Sequence, residues 1–285
     1  MIRLATVLFG LVLSVSYNSI AQDEIAYHDP VWSPDGKQIT FYSNLKGNFD
    51  IYVVNRNGKG LKQITDHPGN DSSPTWSHDG KKILFKSTMD NTPDLYTYEL
   101  ATGHISRLTD NENVEGASAW SNDGKHIAFE LKKDNQRDIF IMNADGSNVR
   151  NLTNSASNDF WPTWSAESRI IYFQSNRTGK YQLFQTGIYG GEASQLYPEE
   201  IHQTSPAIMH TQNKIIFTTH YENGVKISLL DLDSRQVNYL TDDSTDKMMA
   251  SFSPDDKEVV FVQIADRYII NILDMKSKKI RPLID

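Results

Sequence analysis

The chain has 285 residues, a formal net charge of −8 and no cysteine. That acidity argues against a nucleic-acid binder, which needs a basic footprint. The missing cysteines exclude disulfides, thiol nucleophiles and Cys-ligated zinc, so stability must come from packing, for which 38% hydrophobic and 11% aromatic residues suffice.

The N-terminal stretch reads as a secretory leader. Arg3 precedes an apolar run from Leu4 to Val15, and Ser19-Ile20-Ala21 supplies the small residues of a cleavage site. Cleavage is expected after Ala21, leaving residues 22–285 as a single mature domain that is periplasmic or secreted. A membrane anchor would need roughly 20 apolar residues, more than this run offers, so no membrane span is expected after cleavage. With no Cys behind the leader, lipid attachment there is excluded.

Beyond the leader the sequence repeats itself. Trp-Ser-Pro-Asp-Gly-Lys at Trp32 returns at Trp76 and Trp120, in worn form at Trp164, and with Ile208 and Phe252 in the same place, each 44 residues after the last. Phe41, Phe85, Phe129, Phe173, Phe217 and Phe261 keep the same interval, as do their β-branched partners Ile39, Ile83, Ile127, Ile171, Ile215 and Val259. Asp50-Ile51-Tyr52, Asp94-Leu95-Tyr96 and Asp138-Ile139-Phe140 form another column, and Ile64-Thr65, Leu108-Thr109 and Leu152-Thr153 close the repeats. Six repeats of 44 residues fill the mature chain, leaving no room for a separate catalytic domain.

Within one repeat, Asp29-Pro30-Val31 reads as a short innermost strand. Pro34-Asp35-Gly36 is a turn in which Pro presets φ, Asp bonds nearby backbone and Gly takes φ > 0. Gln38 to Ser43 alternates in period two and predicts a second strand. Asp50 to Asn55 predicts a third, Arg56-Asn57-Gly58-Lys59 a turn, and Leu61 to Thr65 a fourth. Four antiparallel strands per 44-residue repeat predict an all-β, six-bladed β-propeller. An open solenoid would expose two apolar end faces, and no capping repeat is visible. Whether Gln22 to Tyr27 helps to close the ring stays open.

The Pro-x-Trp-Ser-Pro-Asp-Gly-Lys, Ile-x-Phe and Asp-Ile-Tyr columns, as in Pro30 to Tyr52 and Pro74 to Tyr96, resemble the WD-like repeats of TolB-type β-propellers over the whole mature chain. The family's namesake is periplasmic and couples a peptidoglycan-associated lipoprotein to inner-membrane Tol proteins through an extra N-terminal α/β domain. Here the first repeat follows the leader directly, a departure from that pattern. Related propellers accompany hydrolase domains, for which this chain has neither spare residues nor a Gly-x-Ser-x-Gly elbow. The resemblance implies a monomeric scaffold for a protein or peptide partner in the cell envelope, and no obligatory cofactor.

Loops joining the fourth strand to the next first strand open on one mouth of a propeller channel. Five residues before the Trp column stand Asp71, Glu115 and Asp159, a candidate acidic sector, with Lys247 expected to face it across the ring. Asn70, Asn158, His202 and Asp246 sit one position further out. Converging oxygens could bind Ca²⁺ in the channel or a basic partner segment; the alternative is a set of solvated loop acids. Trp161 and Phe160 interrupt a column of small residues, which predicts a plug or packing contact, with a recognition anchor as the competing reading. The eight histidines form no metal-binding motif. If the chain were instead a lyase or hydrolase acting on a glycan or small ester, His202, Asp159 and Glu115 would be its acid/base candidates.

Overall fold

The structure, a computed structural model, describes residues 24–90, 92–222, 224–242 and 244–284; the leader and its cleavage site lie outside them. The described residues form 24 strands, numbered β1 to β24 in chain order, in six four-stranded sheets with no helix. The first blade is β1 (Tyr27–Trp32), β2 (Gln38–Ser43), β3 (Asp50–Asn55) and β4 (Lys62–Gln63), each antiparallel to the next. The second and third strands have the bounds expected from the alternation. The fourth is shorter than expected, and the first extends back to Tyr27.

The inner strands of the later blades are β5 (Asp71–Trp76), β9 (Val114–Trp120), β13 (Asp159–Trp164), β17 (His202–Ile208) and β21 (Asp246–Phe252). Each touches its two neighbours, and β21 touches β1, so the six blades form a closed ring.

Packing between blades explains the sequence columns. Ile51, Val53 and Ile64 of the first blade bury against Trp76, Ile83, Phe85 and Tyr96 of the second. The other seams repeat this arrangement, and the six Phe of the Ile-x-Phe column are almost wholly buried. Trp76 Nε1 donates to Val31 O at 3.2 Å and Trp164 Nε1 to Ala119 O at 3.0 Å, so two members of the Trp column also tie their blades to the preceding ones. The closing seam sets Val260, Ile270, Ile272 and Leu283 against Tyr27, Trp32, Ile39 and Phe41. No extra strand is borrowed: β1 to β4 and β21 to β24 are separate complete sheets, and residues 24–26 lie outside both. Ala26 N–H is instead held by Asn44 Oδ1 at 2.8 Å.

The Ser-x-Asp-Gly turn is a self-contained hydrogen-bonded unit. Ser33 Oγ donates to Asp35 Oδ1 at 2.7 Å and accepts from the Gln38 N–H at 2.9 Å, while Gly36 takes φ 68°. Where Gly is lost, Ser168 and Asp256 adopt the same conformation at φ 55° and 56°. Asp256 is fixed there because its carboxylate accepts from the His210 and Thr211 N–H groups at 2.9 and 2.7 Å, supporting the irregular turn of the fifth blade.

Candidate functional site

The acidic column does not line the channel. Asp71, Glu115 and Asp159 are each at most 1% exposed and lie in three successive blade seams. Asp71 Oδ2 is 3.0 Å from His67 Nε2, and the Thr65 and Ser87 hydroxyls flank the same carboxyl. Asp159 accepts from Arg177 Nη2 at 3.2 Å through both oxygens. Glu115 Oε1 accepts from Asn111 Nδ2 at 2.6 Å. Burial raises all three carboxyls, Glu115 to about 7, against the lowering effect of these hydrogen-bond partners. Each carboxyl lies near the Asp and Thr columns of the preceding blade. Thr65, Thr109 and Thr153 donate toward Asp50, Asp94 and Asp138 and accept the N–H of the following residue, Ile51, Leu95 and Ile139. The three columns therefore build one recurring polar latch between blades.

The remaining expected residues divide between seam and channel. Lys247 is buried beside its own loop, with Nζ 2.8 Å from Asp242 Oδ1 and 3.1 Å from Thr245 O, and does not face an acidic sector across the ring. His202 Nδ1 accepts the Tyr181 N–H at 3.1 Å. Asn70, Asn158 and Asp246 do the same for Phe49, Arg137 and Val225, so this column caps a backbone N–H of the preceding blade. Burial, with a smaller contribution from the Lys180 charge, lowers the His202 pKa. His202, Asp159 and Glu115 thus belong to three different seams. Asp71, Glu115 and Asp159 form no common donor set, and among the described residues no group of three His, Cys, Asp or Glu is placed to hold a metal.

The channel is lined from two positions further along the chain. Its cavity of about 590 Å³ runs from a ring of Asp29, Ser73, Ala117, Trp161, Ser205 and Met249 to the turns at Pro34, His78, Asn122 and His210. At this level every inner strand carries a bulge. In five blades the ring residue takes positive φ: Asp29 at 45°, Ser73 at 52°, Trp161 at 47°, Ser205 at 53° and Met249 at 55°. An inserted residue exchanges the faces of a period-two strand, turning these side chains inward. Sequence reasoning picked Trp161 by its size but missed Asp29. The signal available was the proline that follows this column in four blades, at Pro30, Pro74, Pro162 and Pro206, because Pro within a strand marks an edge or a bulge.

Behind the ring lies a charged group contributed by two blades. Glu130 Oε1 accepts the Trp161 N–H at 2.9 Å, and Glu130 Oε2 is 3.3 Å from Arg137 Nη1. Gly116 makes room for it, since a Cβ there would fall 2.1 Å from Glu130 Oε2. Burial raises the Glu130 carboxyl and lowers the nearby Lys86 ammonium. Asp29 accepts from Ser73 Oγ at 3.2 Å, and burial pushes its carboxyl up to about 6 despite Ser73 and the attraction of Lys86. Phe160 turns away from the channel, buried edge-on to Tyr181 at 5.7 Å, whereas Trp161 faces it.

A family profile for the TolB β-propeller domain matches residues 11–115 and 92–284. The chain belongs to the TolB β-propeller family. This TolB-family propeller superposes on TolB from Acinetobacter baumannii with a TM-score of 0.75 at 22% identity, covering 92% of this chain and 63% of that one. A putative TolB from Agrobacterium tumefaciens gives 0.72 at 20% identity, covering 79% and 84% of the two chains. The oligogalacturonate lyase of Vibrio parahaemolyticus gives 0.61 at 15% identity, covering 91% and 93%. At such identities the likeness is one of fold, and the fold hosts both TolB proteins and a lyase. No curated protein matches the chain.

Proposed function

We propose that this TolB-family propeller is an exported binding scaffold of the cell envelope that holds a protein or peptide segment in its channel. The observation that carries the reading is the cavity of about 590 Å³, into which Trp161 and Met249 project from a ring otherwise made of small residues and one Asp. That volume lies in the usual range of about 300–1,000 Å³ for ligand sites, and Trp is the residue type most enriched at binding hot spots. Export rests on the leader pattern of Arg3, Leu4 to Val15 and Ala21, and places the protein in the periplasm or outside the cell. No helix among the described residues is long and apolar enough to cross a membrane. The net charge of −8 favours a basic partner over nucleic acid. The ring buries its own seams, which accords with a monomer. The residues named for a catalytic alternative, His202, Asp159 and Glu115, are engaged in separate seams, so no observation here favours it.

The test is affinity capture from a host envelope extract with residues 22–285 as bait. Two variants act on the channel: Trp161→Ser, which copies the residue at Ser73 and Ser205, and Ala117→Trp, which fills the cavity. A third bait carries Asp71→Asn, Glu115→Gln and Asp159→Asn. A partner recovered by the native and seam-altered baits but lost by both channel variants supports the reading. Equal recovery by all baits moves the site off the channel, and recovery by none removes the scaffold reading.

A further inference from the structure

We propose that the channel ring is a site for an organic cation, an ammonium or guanidinium group gripped between the Asp29 carboxylate and the face of Trp161. The inference rests on the reading of the channel as the partner site and names the chemistry it selects.

In a closed ring of six blades the first and fourth stand opposite each other, so β1 and β13 present Asp29 and Trp161 from facing walls. A carboxylate and an indole face are the two groups that attract a desolvated cation most strongly, and Trp is the best of the cation–π partners. Both are held in advance. Asp29 and Trp161 take φ 45° and 47° at their bulges, and the Trp161 N–H is anchored on the buried Glu130.

Asp29 is also poorly compensated. Its hydrogen bond comes from Ser73 Oγ at 3.2 Å, and no ion pair within 4.0 Å holds it among the described residues. Lys86 attracts it from further away, and burial still raises its carboxyl to about 6. A cation arriving in the channel would offset that desolvation, whereas an anion would add to it. The other ring positions suit an organic rather than a bare metal cation. Ca²⁺ takes about 6–8 oxygen ligands, while this ring offers one carboxylate and the hydroxyls of Ser73 and Ser205. Pro30, Pro74, Pro162, Pro206 and Met249 form apolar walls suited to the methylene stem of a lysine or the methyl groups of a quaternary amine.

Two sources could supply the group, a Lys or Arg side chain of an inserted segment or a free amine. Calorimetric titration of the mature chain at pH 8, where Asp29 is ionised, uses three probes: N-acetyl-Gly-Lys-Gly-amide, its norleucine counterpart and tetramethylammonium. We expect the lysine peptide to bind at least about tenfold more tightly than the norleucine peptide. Asp29→Asn, close in shape and tolerant of positive φ, should erase that difference, and Trp161→Ser should weaken cation binding about tenfold. Tighter binding of the lysine peptide than of tetramethylammonium points to an inserted side chain, and the reverse order to a free amine. Equal binding of the lysine and norleucine peptides, no binding of any cationic probe at millimolar concentration, or cation binding unaffected by both variants each overturns the proposal. The outcome is separable from that of the scaffold reading. A captured partner that binds Asp29→Asn undiminished removes the cation site alone; cation binding with no captured partner removes the scaffold alone.

Discussion

At the scale of single residues, the buried carboxyls are where the chain departs most from what stability alone would choose. Glu115 is 1% exposed, and one of its oxygens bonds Asn111 while Oε2 has no protein partner. Burial raises its pKa from 4.5 to about 7, with the Asp94 charge adding to the shift. The native state therefore holds a proton that the unfolded chain releases, and the stability from this site is complete below the unfolded value and lost as pH rises through about 7. Gln is uncharged throughout and keeps an acceptor for Asn111. Glu115→Gln should leave denaturant midpoints near the wild-type value at pH 4 and raise stability by on the order of 2–3 kcal/mol at pH 8. A gain independent of pH would contradict this account. Gly116 gives a second, sterically simple case. Its backbone φ is not positive, so the requirement is space, and a methyl group would displace the Glu130 carboxylate from the Trp161 N–H and Arg137. Breaking a buried charged contact of this kind typically costs about 3–5 kcal/mol. Gly116→Ala should show that loss in urea unfolding, with altered Trp161 fluorescence in whatever native fraction remains.

At the scale of the strand and its loop, the structure separates what could be read from the chain from what could not. The Trp, Ile-x-Phe and Asp-Ile-Tyr columns were legible because seam packing demands apolar residues at corresponding places in successive blades, and β2 and β3 follow directly from period-two alternation. The candidate site was less legible. Asp71, Glu115 and Asp159 look like converging loop acids only if the inner strand is regular from the mouth inward. One bulge residue, marked by Asp29 at φ 45° and Trp161 at φ 47°, instead leaves the acids in the seams and turns the later column to the channel. Propensity does not foretell that conformation in Trp or Met, because surrounding contacts impose it. The outer column yields to the same repeat logic once the partners are known. His202 occupies the place of Asn70, Asn158 and Asp246, and its Nδ1 caps the Tyr181 N–H as they cap theirs. His202→Asn should keep wild-type stability, whereas His202→Ala should lose about 1 kcal/mol and speed amide exchange at Tyr181. Equal stability of the two variants would show that the cap contributes nothing.

At the scale of the whole ring, the seam between the last and first blades differs in kind from the other five. Elsewhere the chain itself passes from one blade to the next, so each seam forms within a short loop. The closing seam joins blades at the two ends of the described chain and is held by side chains. Leu283, 8% exposed on β24 (Ile280–Ile284), packs with Val260, Ile270 and Ile272 against Tyr27, Trp32, Ile39 and Phe41. Outside that cluster Glu258 reaches Arg56 at 3.0 Å and Arg281 at 3.7 Å, both partly exposed pairs of small individual worth. Apolar contact thus carries the closure, and the seam with the largest entropic cost of assembly is expected to open first. Leu283→Ala removes buried methyl groups and should cost about 2–4 kcal/mol. Leu84→Ala in the seam between the second and third blades removes a fully buried side chain and should cost at least as much globally. The two variants should differ in native-state hydrogen exchange. The first should speed exchange in β1 and β24 at denaturant concentrations where the rest of the ring stays protected, because an opened ring keeps five intact seams. The second should lower protection evenly, since its seam is tethered on both sides by chain. Uniform loss of protection in both would mean that the ring opens only by unfolding as a whole.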